Sequence, residues 1–306
     1  MTVRISNSEI QTFKECRRKW WLVYYRRMQP KSRSFTGPLA LGSRIHEALD
    51  QYYALGTPLL KAHSDLVKDD RALMDADFRD TTGLDTEAEL GRIMLEGYLQ
   101  WIAEEGIDSE LEIVSTEEKI SVPLFNGDVE LQGKLDMRVR RKIDGVRMFR
   151  DFKTVGGSLS DFANLAPMNE QVLTYMLLEQ MKEGEDTRSE GGIFTMLKKV
   201  KRTARATPPF YDQIEVRHNI FTLRSFWDRI HGVITDLMRV RKALDDGESH
   251  ALVAYPTPTR DCKWKCQFFS ICTMFDDGSS AEQALTEMFE EKDPYAYYES
   301  DKKGSE

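Results

Sequence analysis

Two strand-like runs joined across Asp144-Gly145 constrain this chain more than any other feature. VELQGKLDMRVR and VRMFRDFKTV are rich in β-branched and aromatic residues. An Asp-Gly pair between such runs is a strong signal for a type I′ hairpin. With Asp144 and Gly145 as the two loop residues, Ile143 pairs with Val146, Asp136 lies opposite Lys153, and Asp151 lies opposite Arg138. Side chains alternate along a strand, so Asp151 and Lys153 share a face. Directly paired residues also share a face, which brings Asp136 to them unless a bulge breaks the register.

Two neighbouring carboxylates repel unless a positive charge sits between them. A hard divalent cation with oxygen ligands, Mg²⁺ or Mn²⁺, suits that place. A lysine beside such a metal helps activate water or neutralises charge on a phosphate, as phosphodiester hydrolysis requires. Taken alone, an Asp-x-Lys on a hairpin is more often a solvated cross-strand salt bridge.

The rest of the chain supplies a framework. Ser6 and Glu9 fit a capping box that opens a helix over 6–28. A second helix is expected over 41–55, ended by Gly56 and Pro58. Residues 59–106 read as a helical, acidic insertion with a break near 81–83. Strand signals begin near Leu111, helical signals return at 169–183, and strands are expected at 191–197 and 211–220. A long helix follows over 221–244. This order suggests one α/β core carrying a helical insertion. Residues 1–275 are read as one domain and 276–306 as an acidic tail, a short helix followed by disorder.

A hydrophobic content of 41% allows a sizeable core. No run approaches the roughly 18 apolar residues of a membrane helix, and the N-terminus has no secretory signal, so a cytoplasmic protein is expected. The net charge of −8 argues against a nucleic-acid partner only on average. Residues 1–35 carry nine Lys and Arg against two acids, and 198–205 carry five basic residues and no acid. Such segments can meet phosphate, or simply be solvated surface.

Other motifs accompany the hairpin. Asp136 closes Gly-Lys-Leu-Asp from Gly133, and Asp151-Phe152-Lys153-Thr154 follows. Gln171 and Tyr175 form Q-x-x-x-Y, one helical turn apart, and His46 lies in Gly-Ser-Arg-Ile-His-Glu. This set resembles the PD-(D/E)XK nuclease superfamily, and within it the RecB-like exonuclease branch that includes CRISPR-associated RecB-type and AddB-type nuclease domains. The resemblance implies a restriction-endonuclease-like core, a mixed central sheet flanked by helices. It implies that His46, Asp136 and Asp151 bind Mg²⁺ or Mn²⁺, with the Phe152 carbonyl as a further ligand. Lys153 would be catalytic, and Gln171 and Tyr175 would orient the site or contact DNA. Many relatives carry Glu where this chain has Asp151, and the superfamily accepts either.

The four cysteines are Cys16 and the close triple Cys262, Cys266 and Cys272. A clustered triple suggests a metal site. Structural zinc usually shows a close Cys pair in each half of the site. One distant cysteine with a close triple instead resembles the [4Fe-4S] site of the same nucleases, which would join the N- and C-terminal segments. Zinc and four free buried thiols are the alternatives. Trp264, Phe268 and Phe269 are expected to shield this site.

The leading expectation is a metal-dependent DNA exonuclease that prefers single strands or DNA ends. Its stand-alone size resembles phage or prokaryotic recombination, repair and replication nucleases, whose partner proteins would then be its own. Arg17, Arg18 and Lys19 of the first helix, with Lys198, Lys199, Lys201 and Arg202, are the candidate phosphate contacts. The rival is a non-catalytic DNA-binding protein with a structural metal held by the four cysteines, in which the hairpin holds only a salt bridge.

Overall fold

The structure is a computed structural model that describes residues 2–32, 34–184 and 189–299. The end of the acidic tail, 300–306, lies outside the described residues. The strands are β1 (Val3–Ser6), β2 (Met28–Pro30), β3 (Leu111–Leu124), β4 (Val129–Arg141), β5 (Arg147–Val155), β6 (Gly191–Lys198), β7 (Tyr211–Arg217) and β8 (Phe289–Glu291). The helices used below are α1 (Asn7–Glu15), α2 (Arg17–Trp20), α3 (Pro38–Leu55), α4 (Leu59–Ala76), α5 (Thr82–Glu105), α6 (Leu159–Leu165), α7 (Glu170–Glu183), α8 (Ile220–Asp245), α9 (His250–Val253), α10 (Cys262–Lys265) and α11 (Ala281–Met288). Among the described residues no helix is long and apolar enough to cross a membrane.

The chain divides into two compact units. The larger one comprises Ser34–Val122 and Lys134–Leu223. Its sheet is mixed: β4 pairs antiparallel with β5, β5 parallel with β6, and β6 antiparallel with β7, while β3 also pairs with β4. The period of two along each strand sorts the side chains onto two faces. Met137, Val139, Met148, Phe152, Ile193 and Leu197 pack with Ile45 and Leu49 of α3 and with Met94, Leu95 and Tyr98 of α5. On the other face Phe149 meets Tyr175 of α7, with ring centroids 5.6 Å apart, and Phe194 meets Phe162 of α6. Every residue from Val172 to Glu179 is buried. α7 approaches β6 so closely that a Cβ at Gly192 would stand 2.7 Å from Val172. The result is a central mixed sheet with helices on both faces, the architecture expected above. The acidic 59–106 segment forms α4 and α5, which end and begin around a break at 77–81.

The smaller unit takes its described residues from Met1–Arg33, Pro123–Gly133 and Arg224–Glu306. β1 runs parallel to the opening of β4, from Val3 opposite Val129 to Ser6 opposite Gln132. Ser6 caps α1 by accepting from the Glu9 backbone N–H, as its sequence position suggested. The single helix expected over 6–28 is interrupted at Cys16, whose backbone is extended. α2 restarts the helix and passes into a π-helical turn over Trp21–Tyr25. Within the span expected as a tail, α11 buries Leu285, and β8 pairs antiparallel with β2.

Candidate active site

The hairpin forms, with a different turn. Its ladder sets Met137 opposite Arg150 and Arg140 opposite Arg147, and Arg141 N–H donates to the Val146 carbonyl at 2.9 Å. The loop therefore holds four residues, 142–145, and the register differs by two from the type I′ expectation. The cause is Asp144. Its carboxylate accepts from the Val146 N–H at 3.1 Å and from the Arg141 guanidinium, while Gly145 adopts φ +73°. Ile143, expected to pair, is 89% exposed instead. A shift of two keeps every side chain on its expected face. It also changes the partners: the continued register sets Asp136 opposite Asp151, in place of Lys153.

Asp151 is buried on β5, opposite Phe194 of β6. Its carboxylate meets the Lys153 ammonium at 2.6 Å and accepts from Gln171 Nε2 at 3.1 Å. Gln171 closes the group, because its Oε1 accepts from Lys153 Nζ at 3.0 Å and its Nε2 also donates to Tyr175 Oη at 2.9 Å. Tyr175 Oη donates in turn to the Lys134 carbonyl at 2.8 Å, tying α7 to β4. Asn169 caps α7 by accepting from the Gln171 N–H at 2.9 Å, which fixes the turn that carries Gln171. His46 comes from α3, with Nδ1 3.7 Å from Asp136 Oδ2 and the Phe152 carbonyl within hydrogen-bond reach of the ring. The carboxylates, lysine, glutamine, tyrosine, histidine and backbone carbonyl singled out above thus stand together in one unit.

Burial, and then the charge of Asp151, push the Asp136 carboxyl well above the usual carboxylate range. Its Oδ2 is buried with no hydrogen-bond partner. Burial works against the Lys153 ammonium, but Asp151 and Asp136 outweigh it and hold its pKa above the ordinary lysine value. Burial lowers the pKa of His46, which favours the neutral imidazole. Sequence reasoning missed Glu117. This residue sits within β3 at φ +53°, pairs with Lys134 through one carboxylate oxygen, and leaves Oε1 buried without a partner. Its charge acts on His46. A Glu in a polar strand carries no spacing signal, so only the fold could have found it.

In the smaller unit the four cysteines line one cavity of about 460 Å³, together with Arg18, Lys19, Leu22, Pro256 and Phe268. None is in a disulfide. Backbone N–H groups reach two of the sulfurs, Thr257 to Cys16 at 3.4 Å and Thr259 to Cys262 at 3.3 Å; the Phe268 backbone and the Arg18 side chain act to lower the pKa of Cys266 and Cys272. The extended backbone at Cys16 interrupts the helix at the residue whose thiol joins this group. Burial raises the pKa of Cys266 and Cys272, and neighbouring sulfurs add to it. Phe268 is buried beside the cavity, but Trp264 is 80% exposed and does not shield it.

A protein-family model of the PD-(D/E)XK nuclease superfamily matches residues 4–273. The chain belongs to the PD-(D/E)XK nuclease superfamily. Its mixed α/β sheet with flanking helices is the restriction-endonuclease-like fold of that superfamily. A protein from Eubacterium rectale described as a candidate exonuclease is 14% identical, with 80% of this chain and 82% of that chain covered and a TM-score of 0.48. The protein designated SSO0001 is 12% identical, with 52% and 68% covered and a TM-score of 0.24. Overlaps this loose support no functional inference. No curated protein matches the chain.

PD-(D/E)XK nucleases generally use divalent metals such as Mg²⁺ or Mn²⁺. Among the described residues, no group of three or more His, Cys, Asp or Glu side chains is arranged to hold a metal ion as it stands. The donor chemistry nevertheless fits one, because Asp136 offers a buried oxygen without a hydrogen-bond partner, under the charge of a second carboxylate that repels it. The expected phosphate contacts fare unevenly. Arg18 is buried, with its guanidinium taken up by Asp276 at 2.6 and 2.8 Å and by the Cys272 carbonyl, so it holds the cysteine-bearing segment in place and offers nothing to phosphate. Arg17 pairs with Asp236, and Lys19 lies 3.5 Å from Glu15. Arg202 lies over the Phe210 ring at 3.7 Å and donates to Tyr211 Oη at 2.7 Å. Lys198 is half-buried, Lys199 donates to the Pro38 carbonyl at 3.3 Å, and Lys201 is exposed.

Proposed function

We propose that this nuclease is a Mg²⁺- or Mn²⁺-dependent DNA exonuclease that prefers single strands or ends, acting in recombination, repair or replication. The observation that carries the reading is Asp136 in register with Asp151 beside Lys153, with one carboxylate oxygen of Asp136 buried and without a hydrogen-bond partner. Asp136, Asp151, His46 and the Phe152 carbonyl would hold the metal, which supplies an acidified water and charge neutralisation at phosphorus. Glu117, with its own unpartnered oxygen, stands close enough for its charge to reach His46.

The remaining chemistry belongs to the chain. Lys153, kept as an ammonium by Asp151, stabilises the negative charge that builds on phosphate oxygens as water attacks and the ester bond breaks. Gln171 fixes the lysine and the carboxylate relative to each other through its two amide atoms. Tyr175 holds Gln171 in turn and anchors to β4. His46 presents a neutral ring, the form in which a nitrogen lone pair is free to bind a metal.

We infer that the cysteine cavity takes a [4Fe-4S] cluster, with Cys16, Cys262, Cys266 and Cys272 as its ligands. The cavity of about 460 Å³ that the four thiols line has room for a group of several atoms, and the Thr257 and Thr259 N–H groups reach the Cys16 and Cys262 sulfurs. Bound there, the cluster would fasten α2 to the 262–272 segment.

The test is hydrolysis of end-labelled single-stranded and blunt duplex DNA with and without Mn²⁺. We expect metal-dependent loss of the label with single strands cut faster, and no cutting by Asp151→Ala. Equal cutting by Asp151→Ala, or none by the wild type, contradicts the reading.

A further inference from the structure

Trp264 stands in water where its sequence context suggested shielding. An indole carries a large apolar surface, and folded chains usually bury it. Here 80% is exposed, while Phe268, four residues on, is fully buried and stacks on Phe289 at 4.7 Å. The backbone under the indole is well fixed. Trp264 and Lys265 N–H groups donate to the Asp261 carbonyl, Cys266 N–H donates to the Cys262 carbonyl, and Thr259 N–H donates to Cys262 Sγ. α10 is therefore a short rigid mount that holds the ring outward.

The surroundings of the ring are cationic and polar. Lys263 Nζ lies 5.3 Å from the ring centroid, and Arg260 is exposed on the preceding loop. Lys265 is paired with Asp261 at 2.8 Å. Gln267 and Ser270 are exposed nearby in sequence, and the half-exposed Phe269 is the next aromatic. A protein partner would normally meet a contiguous apolar patch, which this is not. One flat π-face with cations beside it matches an unpaired base and the phosphates that flank it. A fully paired duplex offers no such free base along its length.

We propose that Trp264, with Arg260 and Lys263, is a stacking platform for an unpaired base of single-stranded DNA. The proposal rests on the nuclease reading for its choice of ligand, and it is tested apart from catalysis. Binding of a fluorescein-labelled oligothymidylate to the full chain is followed by anisotropy without divalent cations, beside a strand of the same length built from abasic units. Trp264→Ala is expected to weaken oligothymidylate binding roughly 5- to 150-fold, the range for losing one stacked base. It should leave abasic-strand binding and the salt slope unchanged, and Trp264→Phe should retain most of the affinity. Lys263→Ala should flatten the salt slope by about 0.7, the value for one phosphate contact on a single strand. Unchanged oligothymidylate affinity in Trp264→Ala overturns the proposal and leaves the indole to a protein contact. An equal loss on the abasic strand also overturns it, because no base is then involved. Mn²⁺-dependent hydrolysis of bis(p-nitrophenyl) phosphate by the wild type tests the nuclease reading separately, so the two can fail independently.

Discussion

Replacing Asp136 by Asn should make the metal-free protein more stable and, at the same time, unable to respond to metal. Burial raises the cost of charging Asp136, and the charge of Asp151 raises it further. Two like charges about 4 Å apart repel by about 4 kcal/mol at an effective dielectric constant of about 20. Lys153 offsets part of this, so we expect a gain of about 2 kcal/mol from the substitution. The larger unit spans 89 and 90 residues in its two segments, and for a body of that size about 2 kcal/mol is roughly 4–8 °C in Tm. The pH dependence follows from the raised pKa of Asp136. Folded Asp136 binds its proton more tightly than the unfolded chain does, so the wild type loses stability as pH rises above about 4 through the folded pKa. The gap between variant and wild type should therefore open with rising pH and close below about pH 4. Mn²⁺ at about 100 times its Kd should stabilise the wild type by about 2.7 kcal/mol and the variant by far less. Scanning calorimetry at pH 7.5 and pH 4, with and without Mn²⁺, reads all of this. A destabilised variant at pH 7.5, or an equal Mn²⁺ shift in both proteins, would refute the reasoning.

Lys153→Met should lower kcat on single-stranded DNA by about 10²–10³-fold, the usual cost of one donor to developing negative charge, as measured by initial rates at saturating Mn²⁺. Tyr175→Phe removes the bond to the Lys134 carbonyl and the acceptor for Gln171, and should cost about 1 kcal/mol of stability in urea melts. Protein prepared without oxygen should contain about four iron atoms per chain, while Cys16→Ala or Cys266→Ala should lose the iron and melt lower; one zinc and no iron would favour the mononuclear alternative. Lys201→Glu should flatten the salt dependence of DNA binding, whereas Arg202→Glu should mainly lower the Tm, because Arg202 is packed on Phe210 and Tyr211.

The shared face of the candidate site residues was legible because it depends only on the alternation of strand side chains. Asp136, Asp151 and Lys153 keep that face even though the turn at Asp144 moves the register by two. The turn itself was not legible, since a side-chain bond from Asp144 competes with the backbone preference of Asp-Gly. Helical spacing placed Gln171 and Tyr175 on one face, but only the fold reveals that Gln171 bridges Asp151 and Lys153. Charge counting failed for Arg18. Its partner Asp276 is 258 residues away, and no local pattern separates a buried guanidinium from a solvated one. The break at Cys16 was equally silent, because no Gly or Pro stands at or beside it in the sequence.

The central claim is that Asp136 and Asp151 hold a divalent cation at the active site. An anomalous difference map from crystals soaked in Mn²⁺ tests it most directly. The account predicts a peak about 2.1 Å from carboxylate oxygens of both Asp136 and Asp151, with the Phe152 carbonyl and His46 as further ligands. Full-occupancy manganese elsewhere, with no peak between these two carboxylates, would contradict it.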